Sequence, residues 1–188
     1  LLMDEHGLAP LKAWEITTRC MAYTNHTLLP EALERWPVRL FQHLLPRILE
    51  IIYEINARFL VEVGRHWPGD MERLRRMSIF EEGDEQQVRM AYLAVVGSSS
   101  VNGVAALHTK LLQEGLFRDF YELWPDKFNN KTNGVTHRRW PALCNPDLAT
   151  HIPDTLRARW DPHLEPPHAP ALFAPNPAPP THRHTTTP

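Results

Sequence analysis

The chain has 188 residues, room for one ordinary domain but not for two large ones. Twenty Lys and Arg against 22 Asp and Glu leave a net charge of −2, which gives no electrostatic basis for a nucleic-acid partner. No apolar run approaches the roughly 18 residues a membrane helix needs, so no membrane partner is expected. The two cysteines, Cys20 and Cys144, lack metal-ligand spacing and read as reduced thiols of a cytoplasmic protein.

Leu1-Leu2-Met3-Asp4-Glu5 has no basic leader followed by an apolar stretch, and the chain reads as part of something longer. Pro10 is placed to start a helix through Ala13, Trp14 and Ile16 to about Arg19. Pro46 opens a longer helix, with Ile48, Ile51, Ile52, Ile55, Phe59 and Val63 at helical spacing and Pro68-Gly69 as its stop. Asp70 is positioned to cap a short helix from Met71 to Met77. The continuous apolar run Met90–Val96 suits a strand buried on both faces. Gly97 to Gly103 then reads as a strand-to-helix turn, with Val104, Leu107, Leu111 and Leu112 on a helix that closes near Gly115. Asn145-Pro146 predicts a last helix to about Arg159. Ten of the 18 prolines and none of the 8 glycines lie from Pro153 onward, so 153–188 is expected to be a disordered Pro-rich tail. The layout is α/β and mostly helical, as in part of a larger α/β protein.

Several segments carry candidate chemistry. Gly97–Gly103 has neither a Gly-Lys-Ser/Thr ending nor Gly-x-Gly-x-x-Gly spacing, so a tight turn is the better reading than a phosphate loop. No paired-ligand pattern appears among the 11 histidines, and no metal site is read; His108, alone on a helix, reads as structural. Glu81-Glu82 with Asp84-Glu85 reads as a solvated face. Tyr23-Thr24-Asn25-His26-Thr27 is a polar cluster between two predicted helices. Its Asn and His offer directional donors and acceptors suited to sugar hydroxyls, although a helix cap and turn would use the same residue types. Phe128 to Trp140 combines amides, the cations Lys131, Arg138 and Arg139, an indole, and Gly134; a binding loop and an ordinary surface loop fit it equally.

Taken together, these segments resemble the α-glucan phosphorylases. The resemblance is carried by the run from Thr24 to Pro37, by Ile51-Ile52-Tyr53-Glu54-Ile55-Asn56, by Arg73-Leu74-Arg75-Arg76-Met77-Ser78, by Val101-Asn102-Gly103-Val104-Ala105, and by Asn130-Lys131-Thr132-Asn133-Gly134. It implies a two-domain, glycosyltransferase B-like phosphorylase fold with a deep cleft. Residues 1–130 would be the later part of the first domain and 131–152 the start of the second, cofactor-binding domain. It implies release of glucose 1-phosphate from the non-reducing end of α-1,4-glucans by inorganic phosphate, with pyridoxal phosphate held as a Schiff base by a lysine expected beyond this sequence. The longer enzyme is expected to be a homodimer, and this chain alone is expected to be inactive. A glucan-binding module and a non-functional truncated product are the alternatives.

The resemblance also implies roles for residues. His26 and Asn133 would hydrogen-bond the terminal glucose near its primary hydroxyl, with Asn25, Thr27, Asn102 and Val104 lining or supporting the pocket. Trp140 would lie close to the cofactor. Tyr53, Asn56 and Glu82 would belong to a surface glucan-storage site. Three departures stand out: Ala9-Pro10-Leu11 where the family commonly has a Trp and acidic residues, Gln86 in place of a basic residue at the storage surface, and His137 in place of a proline. The quoted similarity stops soon after Asp147-Leu148-Ala149.

Overall fold

The computed structural model describes residues 1–134 and 139–147. The chain divides into two compact units, Leu1–Asn133 and Gly134–Pro188. The first contains α1 (Pro10–Cys20), β1 (Ala22–Thr24), a 3-10 turn (Pro30–Ala32), β2 (Arg35–Pro37), α2 (Val38–Leu44), α3 (Pro46–His66) and α4 (Met71–Met77). It continues with β3 (Phe80–Glu81), β4 (Gln87–Arg89), α5 (Met90–Val96), β5 (Ser100–Gly103) and α6 (Ala106–Leu111). A π-helical turn (Leu112–Leu116), α7 (Arg118–Leu123), a 3-10 turn (Pro125–Lys127) and β6 (Phe128–Asn130) complete it. The second unit shows α8 (Arg139–Cys144). The expected helix after Asn145 falls mostly, and the Pro-rich tail wholly, outside the described residues.

Local chemistry accounts for the long helices. Pro10 and Pro46 sit in the first turns of α1 and α3, where a missing amide costs nothing and a fixed φ favours the helix. On α3, Leu49, Ile52, Phe59 and Val63 are buried, while Ile48, expected on the same face, is exposed. Gly69, at φ 84°, takes the left-handed conformation that turns the chain after α3. The Asp70 carboxylate accepts the Arg73 amide at 2.9 Å and caps α4 as its spacing predicts.

The run Met90–Val96 is a helix, not the expected strand. Its buried residues are Ala91, Val95 and Val96, one turn apart rather than alternating, and the Gly97 amide closes it on the Leu93 carbonyl at 2.9 Å. A seven-residue apolar run does not separate a strand from a helix enclosed on most sides. The strand lies just beyond: β5 begins inside the segment read as a strand-to-helix turn, which is therefore a helix-to-strand turn followed by strand. In α6 and its π-turn, Leu112 is fully buried but Leu107 and Leu111 are exposed, so the expected apolar face is not the one used. Within the acidic run, Glu82, Asp84 and Glu85 are exposed as expected, but Glu81 is half-buried and pairs with Arg35 at 2.6 Å.

Two three-stranded sheets result. β1, β5 and β6 form a parallel sheet with β5 central, and β2, β4 and β3 form an antiparallel one. The core between sheets and helices is aromatic around Phe117, whose ring meets Tyr23, Tyr92 and Phe120 edge to face.

Lys127 sits in this frame as a half-buried cation. Its ammonium lies 3.7 Å over the Trp124 ring and donates to the Val95 and Val96 carbonyls at 3.3 and 3.4 Å, at the C-terminus of α5. Burial pushes its pKa from 10.5 down to about 8. The unfolded chain therefore binds more protons than the folded one between about pH 8 and 10.5, so this group makes stability rise across that window. We expect the melting temperature of the native chain, relative to Lys127→Met, to increase from pH 8 to 10. Parallel pH profiles of the two proteins would contradict the assignment.

Candidate functional site

The parallel sheet places the polar motifs. Register pairs Thr24 with Asn102 and Gly103 with Asn130, so the three strands end at one edge. The carboxyl edge of such a sheet is where open α/β folds bind ligands. His26 and Thr27 follow β1, Val104 follows β5, and Lys131 to Asn133 follow β6, so all three loops leave from that edge.

Backbone hydrogen bonds extend the ladder into these loops. Asn25 N donates to Asn102 O at 2.9 Å, Lys131 N to Gly103 O at 3.1 Å, and Asn133 N to Val104 O at 3.0 Å. Asn25 is 1% exposed: its amide oxygen accepts Thr27 N at 2.9 Å and its Nδ2 donates to the Tyr23 hydroxyl at 3.3 Å. Asn102 accepts the Thr24 hydroxyl at 2.8 Å and donates to Gly103 O at 2.9 Å. The Thr27 hydroxyl accepts Leu29 N at 3.1 Å. These three side chains use their polar groups to shape the loops.

His26 and Asn133 differ. Both are exposed, and their side chains make no hydrogen bond among the described residues. They leave an imidazole and a primary amide, directional donors and acceptors together, unspent at one sheet edge.

His108, read from the sequence as structural, Gly103, read there as the end of a turn, and Thr109, which the sequence did not single out, hold this arrangement. The Val104 amide donates to His108 Nδ1 at 3.0 Å, so the neutral imidazole carries its proton on Nε2, which is buried without a hydrogen-bond partner among the described residues. The Thr109 hydroxyl lies 2.9 Å from Asn130 Oδ1 and packs beneath Gly103. A Cβ on Gly103 would stand 2.4 Å from Thr109 Oγ1 and 2.9 Å from Thr109 N and Cα, so only glycine lets α6 approach β5 this closely. No sequence periodicity marks these residues; their roles depend on the packing of α6.

The residues expected at a storage surface lie together on another face. Tyr53 and Asn56 are one turn apart on α3, with Tyr53 stacked on Phe80 at 4.2 Å. Gln86 accepts the Tyr53 hydroxyl at 2.7 Å and donates to Glu82 at 2.7 Å. The Asn56 amide oxygen accepts Ile79 N at 2.8 Å. Gln86 thus links the Tyr53 hydroxyl to the Glu82 carboxylate in one chain of hydrogen bonds. Trp140, the residue expected near a cofactor, is 62% exposed on α8. An indole supplies neither a Schiff-base amine nor an anion-binding donor set, so Trp140 alone does not make a cofactor site.

A parallel sheet among helices, with unspent hydrogen-bonding groups at its carboxyl edge, is the kind of frame on which open α/β proteins bind ligands. The family model for carbohydrate phosphorylases matches residues 1–169, and the chain belongs to that family. The match runs past residue 152, beyond the point where the recognisable motifs stop. The chain is 60% identical over 156 residues to the brain form of glycogen phosphorylase from Homo sapiens and 56% identical over 156 residues to the muscle form from Ovis aries. It is 56% identical over 165 residues to a glycogen phosphorylase from Synechocystis sp.. These alignments cover 83% to 88% of this chain but only 18% to 19% of the relatives, so the chain spans about a fifth of their length.

Proposed function

We propose that this chain is the portion of a glycogen-type α-1,4-glucan phosphorylase that supplies one wall of the sugar pocket. In this reading residues 1–130 belong to the first domain of the longer enzyme and 131–152 open the second. That enzyme transfers the terminal glucose of an α-1,4-glucan to inorganic phosphate. His26 and Asn133 hydrogen-bond the glucose near its primary hydroxyl. Asn25, Thr27, Asn102 and Val104 hold the loops that present them. The observation that carries the reading is the convergence of His26 and Asn133, both with unspent polar groups, on the carboxyl edge of one parallel sheet.

Hydrogen bonds that strengthen as the sugar approaches an oxocarbenium-like state favour reaction over mere binding. Pyridoxal phosphate, when bound to the longer enzyme, would supply the acid–base chemistry at the phosphate. Trp140 is the residue of this chain nearest to that role. The rest of this chain's contribution is to orient the sugar. Cytoplasmic location and homodimerisation of the longer enzyme belong to the same proposal. The chain alone is inactive in this reading. An apolar hollow of about 880 Å³ between α1 and α3, lined by Trp14, Ile51, Ile55 and Phe59, supports a unit that packs against further protein. The alternative, a glucan-binding module on the Tyr53–Glu82 face, is less well supported because Gln86 already occupies the polar groups there.

The test is a chimera in which the 156 aligned residues of this chain replace the matching segment of the human brain form, assayed for glucose 1-phosphate release from glycogen. Activity is expected, together with its loss on His26→Ala.

A further inference from the structure

Away from the sheet edge, four arginines meet around one surface pocket. Arg73, Arg76, Arg89 and Arg118 line a hollow of about 540 Å³ with Tyr92 and Asp119. These guanidinium groups belong to a larger network. Arg76 donates to Asp119 through Nε and Nη2 at 3.1 and 3.2 Å, and Arg118 Nε donates to Glu122 at 2.8 Å. Arg73 donates to Glu122 through Nη1 at 2.8 Å and has Asp119 and Asp70 at 3.4 Å. Arg89 gives Nη1 to the carbonyls of Arg75, Arg76 and Ser78 and Nε to Glu81, which Arg35 also holds at 2.6 Å. Five guanidinium groups therefore share four directly paired carboxylates, with Glu72 adding a further acidic charge near Arg76.

The four arginines that line this hollow keep N–H groups without a hydrogen bond. Among the described residues no hydrogen bond is made by either Nη of Arg118, by Nη1 of Arg76, or by Nη2 of Arg73 and Arg89. The Nε of Arg73 is buried without a hydrogen bond. The Tyr92 hydroxyl also has no hydrogen-bond partner among the described residues, and its ring lies 5.2 Å from the Arg89 guanidinium. Forked N–H groups of several arginines beside a phenol match the oxygens of a tetrahedral dianion. A carboxylate ligand would use two oxygens; here four lining arginines each retain unbonded N–H groups.

We propose that the Arg73–Arg76–Arg89–Arg118 pocket binds a phosphate group, either as inorganic phosphate or on a phosphate monoester. The volume admits a phosphorylated monosaccharide as well as the free ion. This site does not depend on the role assigned to His26 and Asn133.

The experiment reads the arginine Nε–H resonances of the 188-residue chain by ¹H–¹⁵N NMR while sodium phosphate is added, and then glucose 6-phosphate, with sodium chloride as the ionic-strength control. Saturable shifts of a few arginine resonances at millimolar phosphate, absent with chloride, are expected. Arg118→Gln should weaken binding by roughly tenfold, the loss of a charge-assisted fork. Arg19→Gln on α1 should leave it unchanged. Tyr92→Phe, which removes only the hydroxyl, provides a second reading of the pocket should Arg118→Gln fail to fold, and should weaken binding by at least about twofold. Tighter binding of the ester identifies a phosphorylated sugar as the occupant; equal or weaker binding identifies inorganic phosphate. No saturable shift up to tens of millimolar, or equal affinity in both Arg118→Gln and Tyr92→Phe, would overturn the proposal.

Discussion

Gly103→Ala is expected to destabilise the Leu1–Asn133 unit by about 3 kcal/mol or more, the upper range for overpacking at a site that cannot relax. The added Cβ would overlap Thr109 Oγ1 at 2.4 Å and also the Thr109 backbone, N and Cα, at 2.9 Å. A side chain can rotate away, but the first turn of α6 cannot move without breaking the contacts that hold it. Thr109→Ala should therefore not rescue Gly103→Ala, since it removes only the hydroxyl contact. The consequence reaches the site, because Gly103 O accepts Lys131 N at 3.1 Å and so fixes the loop leading to Asn133. Urea denaturation followed by far-ultraviolet circular dichroism checks this. A midpoint within error of the native chain would show that β5 and α6 are not packed as described.

Phe117→Ala should cost about 3–5 kcal/mol, the range for deleting a buried phenyl ring, out of a total stability of roughly 5–15 kcal/mol for a domain. Phe117 is fully buried and touches the rings of Tyr23, Tyr92 and Phe120. Its contact with Tyr23 matters beyond stability. Tyr23 lies on β1, and its hydroxyl accepts Asn25 Nδ2, so the cavity would loosen the loop that carries His26. Phe117→Leu leaves a smaller void and should cost much less. The same denaturation measurement separates the two variants, and equal losses would point away from a cavity effect.

The elements legible in the sequence are those with a local cause. α1, α3 and α4 carry a first-turn proline or an aspartate cap, and α3 shows a helical period over five turns. The strands of the parallel sheet, β1, β5 and β6, have only three or four residues, too few for alternation to register. The apolar run that looked most like a strand became α5, because enclosure on several sides makes a short helix as apolar as a buried strand. Without the sheet, nothing in the spacing says that residue 26 and residue 133 share an edge. Their pairing as a site comes from the resemblance of whole motifs; the Asn25–Asn102 and Asn133–Val104 backbone hydrogen bonds show only that both loops are tied to β5 and the residue after it. His108 was legible as structural, but its partner was not. A single helical histidine carries no pattern, and its contact with the Val104 amide exists only once α6 has packed.

The central claim is that this chain's sheet edge orients a glucosyl unit, and the chimera with the human brain form tests it most directly through Asn133. With glycogen and inorganic phosphate as substrates, Asn133→Ala should lower kcat/KM by roughly a hundredfold, the scale of a hydrogen bond that strengthens in the transition state, and most of the loss should fall on kcat. A kcat/KM within about twofold of the unmodified chimera would contradict the account.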